Sequence, residues 1–170
     1  VSVAITIPLE GGYLPDRFGK FSDESLRKDG NNIHSFPFSV EGVPENAVSL
    51  AWAFIDYDST PVCGFTWIHW IACGAPASYK DVPEGASHSG DAPFIQGSNS
   101  CVSRAAETSD DVIKGYIGPC PPDKDHRYTL MVYALDTDLG LEEGFYLNEL
   151  HWAMQGHILA SAEVNVMSRA

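Results

Sequence analysis

Four apolar runs rich in β-branched and aromatic residues constrain the fold of this chain most strongly. Each run is bounded by proline, glycine, aspartate or serine, the residues that commonly end strands. The runs are VSLAWAFID (48–56), FTWIHWIAC (65–73), RYTLMVYALD (127–136) and ASAEVNV (160–166). Two weaker runs of the same kind occupy 1–8 and 34–42. These patterns predict a mainly β fold.

One long stretch has helical periodicity instead. Residues 146–160 carry apolar side chains at spacings of three or four, which gives one apolar face. These side chains are Leu147, Leu150, Met154 and Ile158. We therefore expect one main helix late in the chain, and a further helical turn or two within 103–113.

Length and charge limit the classes of protein to which the chain can belong. A chain of 170 residues is most simply one domain spanning 1–170. Its net charge of −13, from 10 basic and 23 acidic residues, argues against nucleic-acid partners and anionic membranes. No run approaches the ~18 apolar residues that a membrane span needs, so we expect no membrane insertion. An acidic chain can still hold a small anion in a local cationic pocket.

The N-terminal segment lacks the features of a signal peptide, which favours a cytoplasmic protein. A signal already removed would leave no trace, so a periplasmic or secreted protein is the alternative. The four cysteines, Cys63, Cys73, Cys101 and Cys120, have no C-x-x-C spacing. We expect reduced structural thiols, with one disulfide as the alternative, and neither a metal site nor a cofactor.

The alternation of side chains along a strand assigns the polar residues that follow the proline-rich loop GPCPP (118–122) to opposite faces. Alternate side chains of a strand share a face, so His126 and Tyr128 are expected on one face and Arg127 on the other. The same alternation groups His69 with Phe65, Trp67 and Ile71. His69 then has two interpretations: a core histidine satisfied by a carbonyl or carboxylate, or a residue at a pocket mouth.

Two carboxylates, Asp56 and Asp58, stand at the end of an apolar strand. Aspartate at a strand end is often only a turn former. The functional alternative is a carboxylate that orients a histidine or accepts a ligand hydroxyl.

The order of these motifs is more specific than any one of them. They are FIDYDSTP (54–61), TWIHW (66–70) and GPCPPDKDHRY (118–128). Together they resemble the phosphatidylethanolamine-binding protein family, in its bacterial and archaeal Raf-kinase-inhibitor-like branch. The resemblance extends over 34–166, through FPFSVEGVPENAVSLAWAFID, YALDTDLGLEEG and ELHWAMQGHILASAEV. It implies a β-sandwich with a large central sheet, a smaller sheet and one main C-terminal helix.

The resemblance also implies a small pocket that accepts phosphate-like groups and other small anions. Its ligand-binding residues would be Asp56, Trp67, His69, Gly118, Cys120, Pro122, His126 and Tyr128. Asp56, His69 and His126 would be its ionisable groups. Tyr128 would contribute a hydroxyl and Trp67 would form part of the wall. The proline loop would line the rim with its backbone. Arg127 would be structural, paired with Asp58 behind the pocket.

Three departures from the family pattern bear on that pocket. The usual D-P-D-x-P lacks its first proline and gains one residue before Pro61, which alters the turn around Asp58 and leaves Asp56 little affected. The spacer 123–125 is short and acidic, so we expect a tighter, more acidic rim and weaker anion binding. Cys120 replaces a glycine common in eukaryotic members, and we expect it to be buried rather than exposed and reactive.

The favoured function is a small-anion-binding protein with a regulatory or unassigned role. One alternative is inhibition of a protein kinase or serine protease by protein contact. Another is a small hydrolase using Asp56 with His69 or His126, although neither a G-x-S-x-G nor an H-E-x-x-H motif is present. A homodimer formed through aromatic residues such as Tyr146 or Trp152 is also expected.

Overall fold

A computed structural model of the protein describes residues 2–103 and 108–170. Its strands are β1 (Ala4–Thr6), β2 (Arg27–Lys28), β3 (Asn31–Asn32), β4 (Phe38–Glu41), β5 (Ser49–Asp56), β6 (Trp67–Pro76), β7 (Asp81–Val82), β8 (Ile95–Gln96), β9 (His126–Leu135) and β10 (Ile158–Ser168). Its α-helices are α1 (Thr60–Cys63), α2 (Asp110–Ile113) and α3 (Leu147–Ala153). Short 3-10 turns cover Asp16–Phe18, Glu24–Leu26, Ala86–His88 and Ser100–Val102.

The strands form one large and one smaller antiparallel sheet. The large sheet has five strands in the order β10-β9-β5-β6-β8, and the smaller has three in the order β1-β4-β7. A separate hairpin pairs β2 with β3. The mainly β prediction, with a large central sheet and a smaller one, is confirmed.

The large sheet is covered on both faces. An aromatic cluster fills the space between the two sheets and includes Phe36, Phe38, Trp52, Phe54, Trp70 and Tyr116. A second apolar cluster, which includes Ile55, Ile71, Leu150 and Met154, lies between the other face and α3. Every residue of β5 is buried as a result. Burial on both faces explains why this strand is continuously apolar rather than alternating.

The predicted late helix is present but shorter than the pattern 146–160 suggested. Leu150 and Met154 pack against the sheet as expected. Gly156 then adopts a φ of +82°, which helical L-residues rarely adopt, and β10 begins two residues later. Ile158 is therefore an exposed strand residue and no part of a helical face.

The structure also bears on the helical turn expected within 103–113 and on membrane-spanning helices. Within 103–113, α2 supplies one helical turn, and residues 104–107 lie outside the part of the chain described. Across 2–103 and 108–170, no helix is long and apolar enough to cross a bilayer.

Candidate functional site

Three strand ends meet at one edge of the large sheet. Asp56 ends the central strand β5, and its backbone pairs with Trp67 of β6 and Tyr128 of β9. Antiparallel neighbours run in opposite directions, so the end of β5 lies beside the starts of both flanking strands. The motif at 118–128, distant in the chain, is thereby brought beside the two neighbouring motifs at 54–61 and 66–70.

A cavity of about 270 Å³ opens at this edge. All eight ligand-binding residues expected from the resemblance line it: Asp56, Trp67, His69, Gly118, Cys120, Pro122, His126 and Tyr128. Five further residues that the sequence analysis did not select complete the lining: Asn31, Ser59, Val62, Cys63 and Ile117. We call this cavity the strand-end pocket.

Each ring nitrogen of His126 forms a hydrogen bond with a carboxylate. Its Nδ1 lies 2.8 Å from Asp56 Oδ2, and its Nε2 lies 2.8 Å from Asp123 Oδ1. Burial opposes the charged form, but the two carboxylates outweigh it and raise the pKa of His126. Because a carboxylate accepts hydrogen bonds, both ring nitrogens donate and the ring is an imidazolium.

His69 has the opposite character. Its Nδ1 lies 2.8 Å from the carbonyl oxygen of Ile117, so that nitrogen carries the proton. Burial lowers the pKa of His69 to about 4, which keeps the ring neutral near pH 7. Its Nε2 therefore has a lone pair and acts as a hydrogen-bond acceptor. His69 is hydrogen-bonded to a backbone carbonyl and also lines the pocket. Both interpretations of this residue from the sequence therefore apply.

A β-bulge places His69 in the pocket. Phe54 pairs with Trp70 and Ile55 with Ile68, so one step along β5 spans two residues of β6. His69 is the extra residue, and beyond a bulge the alternation of faces is shifted. The prediction that Ile71 shares a face with His69 is therefore wrong: Ile71 packs in the cluster under α3.

The hydroxyl of Tyr128 is fully buried and has no hydrogen-bond partner among the residues described. The Tyr128 ring meets that of His69 edge to face, with ring centroids 5.1 Å apart. Burial, followed by the negative charge of Asp56 and a side-chain interaction with the same carboxylate that falls short of hydrogen-bond geometry, raises the pKa of Tyr128 far above 10. The hydroxyl is thus a permanent hydrogen-bond donor on the wall of the pocket.

The proline loop offers the pocket few backbone donors. The N–H of Gly118 donates to the carbonyl oxygen of Asn32 at 2.9 Å. A Cβ at Gly118 would lie 2.6 Å from the carbonyl oxygen of Phe18, so only glycine fits there. Since proline has no N–H, Cys120 is the remaining donor of 118–122, and its N–H has no partner among the described residues.

Two expectations about this edge are wrong in detail. Cys120 is exposed, although its neighbours Pro119 and Pro121 in the loop are buried. Asp58 does contact Arg127, but its Oδ2 accepts from the backbone N–H at 2.9 Å. The Arg127 side chain is exposed, and its guanidinium forms no ion pair with the residues that the structure describes. Asp58 thus anchors the start of β9 through the main chain.

Sequence reasoning missed Ser59 and the specific contact of Asp123. The N–H of Ser59 donates to Asp56 Oδ1 at 3.1 Å, and its Oγ lies 2.7 Å from the Asp56 carbonyl oxygen. A serine three residues after an aspartate at a strand end is a side-chain turn signal that could have identified it. Helix α1 begins at Thr60, next to the insertion before Pro61, and Asp56 still lines the pocket.

All four cysteines are free thiols. Cys63 and Cys120 are exposed and line the strand-end pocket from opposite segments. Cys73 and Cys101 are buried, and burial raises their pKa values to about 12 and about 11. Within the ranges that the structure covers, no group of three or more histidine, cysteine or acidic side chains is placed to hold a metal ion.

Fold and pocket together define a two-sheet β-sandwich with a small polar cavity where three strands end. The family model for the phosphatidylethanolamine-binding protein matches residues 6–169. The chain therefore belongs to the phosphatidylethanolamine-binding protein family, as the motif order indicated.

Related proteins match this chain over most of its length. The uncharacterized protein YxkA of Bacillus subtilis is 49% identical over 158 residues, which are 92% of this chain and 94% of that protein. A UPF0098 protein of Methanothermobacter thermautotrophicus is 38% identical over 138 residues, or 80% and 82% of the two chains.

Solved structures agree with the fold. The putative phosphatidylethanolamine-binding protein homolog CT736 of Chlamydia trachomatis superposes with a TM-score of 0.80 at 31% identity, covering 99% of this chain and 98% of that one. YbcL of E. coli shares the fold, with a TM-score of 0.74 at 24% identity over 99% and 98% of the two chains.

Proposed function

We propose that the strand-end pocket binds a small ligand through a phosphate- or carboxylate-like group, and that the protein acts by binding. The observation that carries this proposal is the buried hydroxyl of Tyr128, which lacks a hydrogen-bond partner within 2–103 and 108–170 and lies beside the His126 imidazolium. A buried hydroxyl without a partner costs about 1–3 kcal/mol. An oxygen acceptor of a ligand seated in the pocket would recover that free energy.

The polar groups of the pocket suit an oxyanion that still carries a proton. Tyr128 O–H and the Cys120 N–H can donate to ligand oxygens, and the positive charge of the His126 ring attracts them although both of its N–H groups are bonded to carboxylates. Nε2 of His69 accepts, so it can receive the P–OH of a hydrogen phosphate or a singly ionised phosphate monoester. Phosphate and phosphorylethanolamine are therefore the first ligands to test.

The geometry gives less support to catalysis. Both nitrogens of His126 donate to carboxylates, so its ring has no lone pair with which to accept a proton. The hydroxyl of Ser59 is engaged by two carbonyl oxygens and by the N–H of Trp67. Kinase or protease inhibition, a regulatory role, a homodimer and a cytoplasmic location stay predictions.

Histidine NMR tests the proposal directly. On titration with phosphate or phosphorylethanolamine, the ring signals of His69 and His126 are expected to shift together and to saturate. Tyr128→Phe removes one hydrogen-bond donor without changing the ring, and should weaken binding about three- to tenfold. Tyr133→Phe is the matched control, because Tyr133 belongs to the same strand but contributes to the cluster under α3.

Two results would contradict the proposal. One is the absence of any shift at either histidine at millimolar ligand. The other is turnover of phosphate or carboxylate esters that disappears in His69→Ala, which would replace a binding function with a catalytic one.

A further inference from the structure

The two carboxylates on His126 are held very differently. Asp56 is buried at the end of β5, and its Oδ1 accepts a second hydrogen bond from Ser59. Asp123 belongs to the spacer between the proline loop and β9, and its side chain is 47% exposed. Asp56 is thus a fixed part of the pocket, whereas Asp123 can turn toward water and stay solvated.

The position of Asp123 conflicts with that of a bound anion. Nε2 of His126 carries one hydrogen, and Asp123 Oδ1 accepts it at 2.8 Å. A ligand oxyanion that bonds to the same nitrogen must displace this carboxylate or lie against its negative charge.

We propose that Asp123 is an internal, displaceable ligand of the strand-end pocket, one that competes with external anions for Nε2 of His126 and so determines which anions bind. The proposal rests on the anion-binding function proposed above. With Asp123 in place, the charged groups around His126 are two carboxylates and one imidazolium, which disfavours an anionic ligand, singly or doubly charged. Displacement of Asp123 leaves one carboxylate and one imidazolium, together with a free N–H donor.

The charge of His126 also depends on Asp123, and a test must separate the two effects. The groups that face the His126 ring are Asp56, Asp123, His69 and Tyr128. His69 and Tyr128 are neutral, so without Asp123 the charged ring is still supported by Asp56. At about pH 5.5, below the ordinary histidine pKa of about 6.5, we expect His126 to be protonated in both the wild type and an Asp123 variant, and the histidine NMR signals of each protein check this.

The test compares inorganic phosphate binding by the wild type, Asp123→Asn and Asp125→Asn, by calorimetry and histidine NMR at about pH 5.5. Asp125 is the matched control because it lies two residues away in the same spacer and bonds to Tyr13 and Ala170 rather than to His126. Asp123→Asn should bind phosphate about tenfold more tightly, since one charge next to the ligand is removed. Asp125→Asn should stay within about twofold of the wild type.

The outcomes separate this inference from the function on which it rests. Equal or weaker phosphate binding by Asp123→Asn, with binding retained, would overturn the role of Asp123 alone. Failure of both the wild type and Asp123→Asn to bind phosphate would overturn the anion-binding proposal as well. A wild-type Asp123 carboxyl ¹³C signal that moves to the position of a solvated aspartate on phosphate addition would support displacement.

Discussion

His69 and His126 lie in one pocket, yet their surroundings move their pKa values in opposite directions. Burial dominates at His69 and lowers its pKa, while two carboxylates overcome burial at His126 and raise its pKa. One ring is therefore a neutral acceptor and the other a charged donor near pH 7. Ligand recognition in this pocket depends on that difference.

The neutral state of His69 should make the protein sensitive to mild acid. In the unfolded chain His69 takes up a proton below about pH 6.5, but in the folded protein it does so only below about pH 4. The unfolded state thus binds more protons between these values, and stability falls as the pH falls through that window. We expect a loss of about 3 kcal/mol, measured by urea unfolding at several pH values.

His69→Gln should flatten the unfolding free energy across this window. His157→Gln is a suitable control because His157 is an exposed histidine bonded to Asp136 on the surface. A His69→Gln profile that falls as steeply as that of the wild type would show that other groups cause the acid sensitivity.

His126 should behave in the opposite way. Its folded-state pKa is raised, so its contribution to stability is complete below about pH 6.5 and is lost as the pH rises through the folded-state value. An NMR titration should give a pKa above 6.5 for His126 in the wild type and a lower one in Asp123→Asn. An unchanged value in the variant would mean that Asp123 does not hold the charge.

At the scale of elements, the strands and the main helix could be predicted from sequence, but their irregularities could not. Alternation of side chains identifies β6, whereas the bulge at His69 depends on the register of its pairing with β5, which the pattern within β6 does not reveal. Pattern alone extended the helical face to Ile158, because apolar spacing does not reveal the positive φ of Gly156. The register of strand pairing and the backbone conformation, rather than propensity, decide these details.

Helix α3 should contribute to stability through one side chain in particular. Leu150 is fully buried in the cluster between α3 and the large sheet. Leu150→Ala should lower the free energy of unfolding by about 2–5 kcal/mol, as expected for a cavity in a packed core. Trp152→Ala, on the exposed side of the same helix, should change it by about 0.5 kcal/mol or less. Equal losses in urea unfolding would mean that α3 is packed differently.

At the scale of the whole molecule, the site depends on topology. Most of its residues come from 56–69 and from 117–128, and the antiparallel order of β5, β6 and β9 unites these two parts of the chain, while Asn31 joins them from β3. Family resemblance could anticipate that assembly because motif order reflects the fold. It could not anticipate Ser59, whose role is a local hydrogen bond, or the choice between exposure and burial of Cys120.

The distribution of the thiols gives a global test of the architecture. Cys63 and Cys120 are exposed at the pocket, whereas Cys73 and Cys101 lie in the interior. Two thiols should therefore react with a thiol reagent in the native protein, and the other two only on unfolding. Rapid reaction of all four, or no loss of the fast phase in Cys63→Ser/Cys120→Ser, would contradict this arrangement.

The most direct test of the central claim is a crystal structure of the protein grown with phosphate. We predict an anion in the strand-end pocket within hydrogen-bond distance of the Tyr128 hydroxyl and His126, with the Asp123 carboxylate turned away from Nε2. Phosphate bound elsewhere on the protein, with only water beside Tyr128 and with Asp123 still on His126, would contradict the claim.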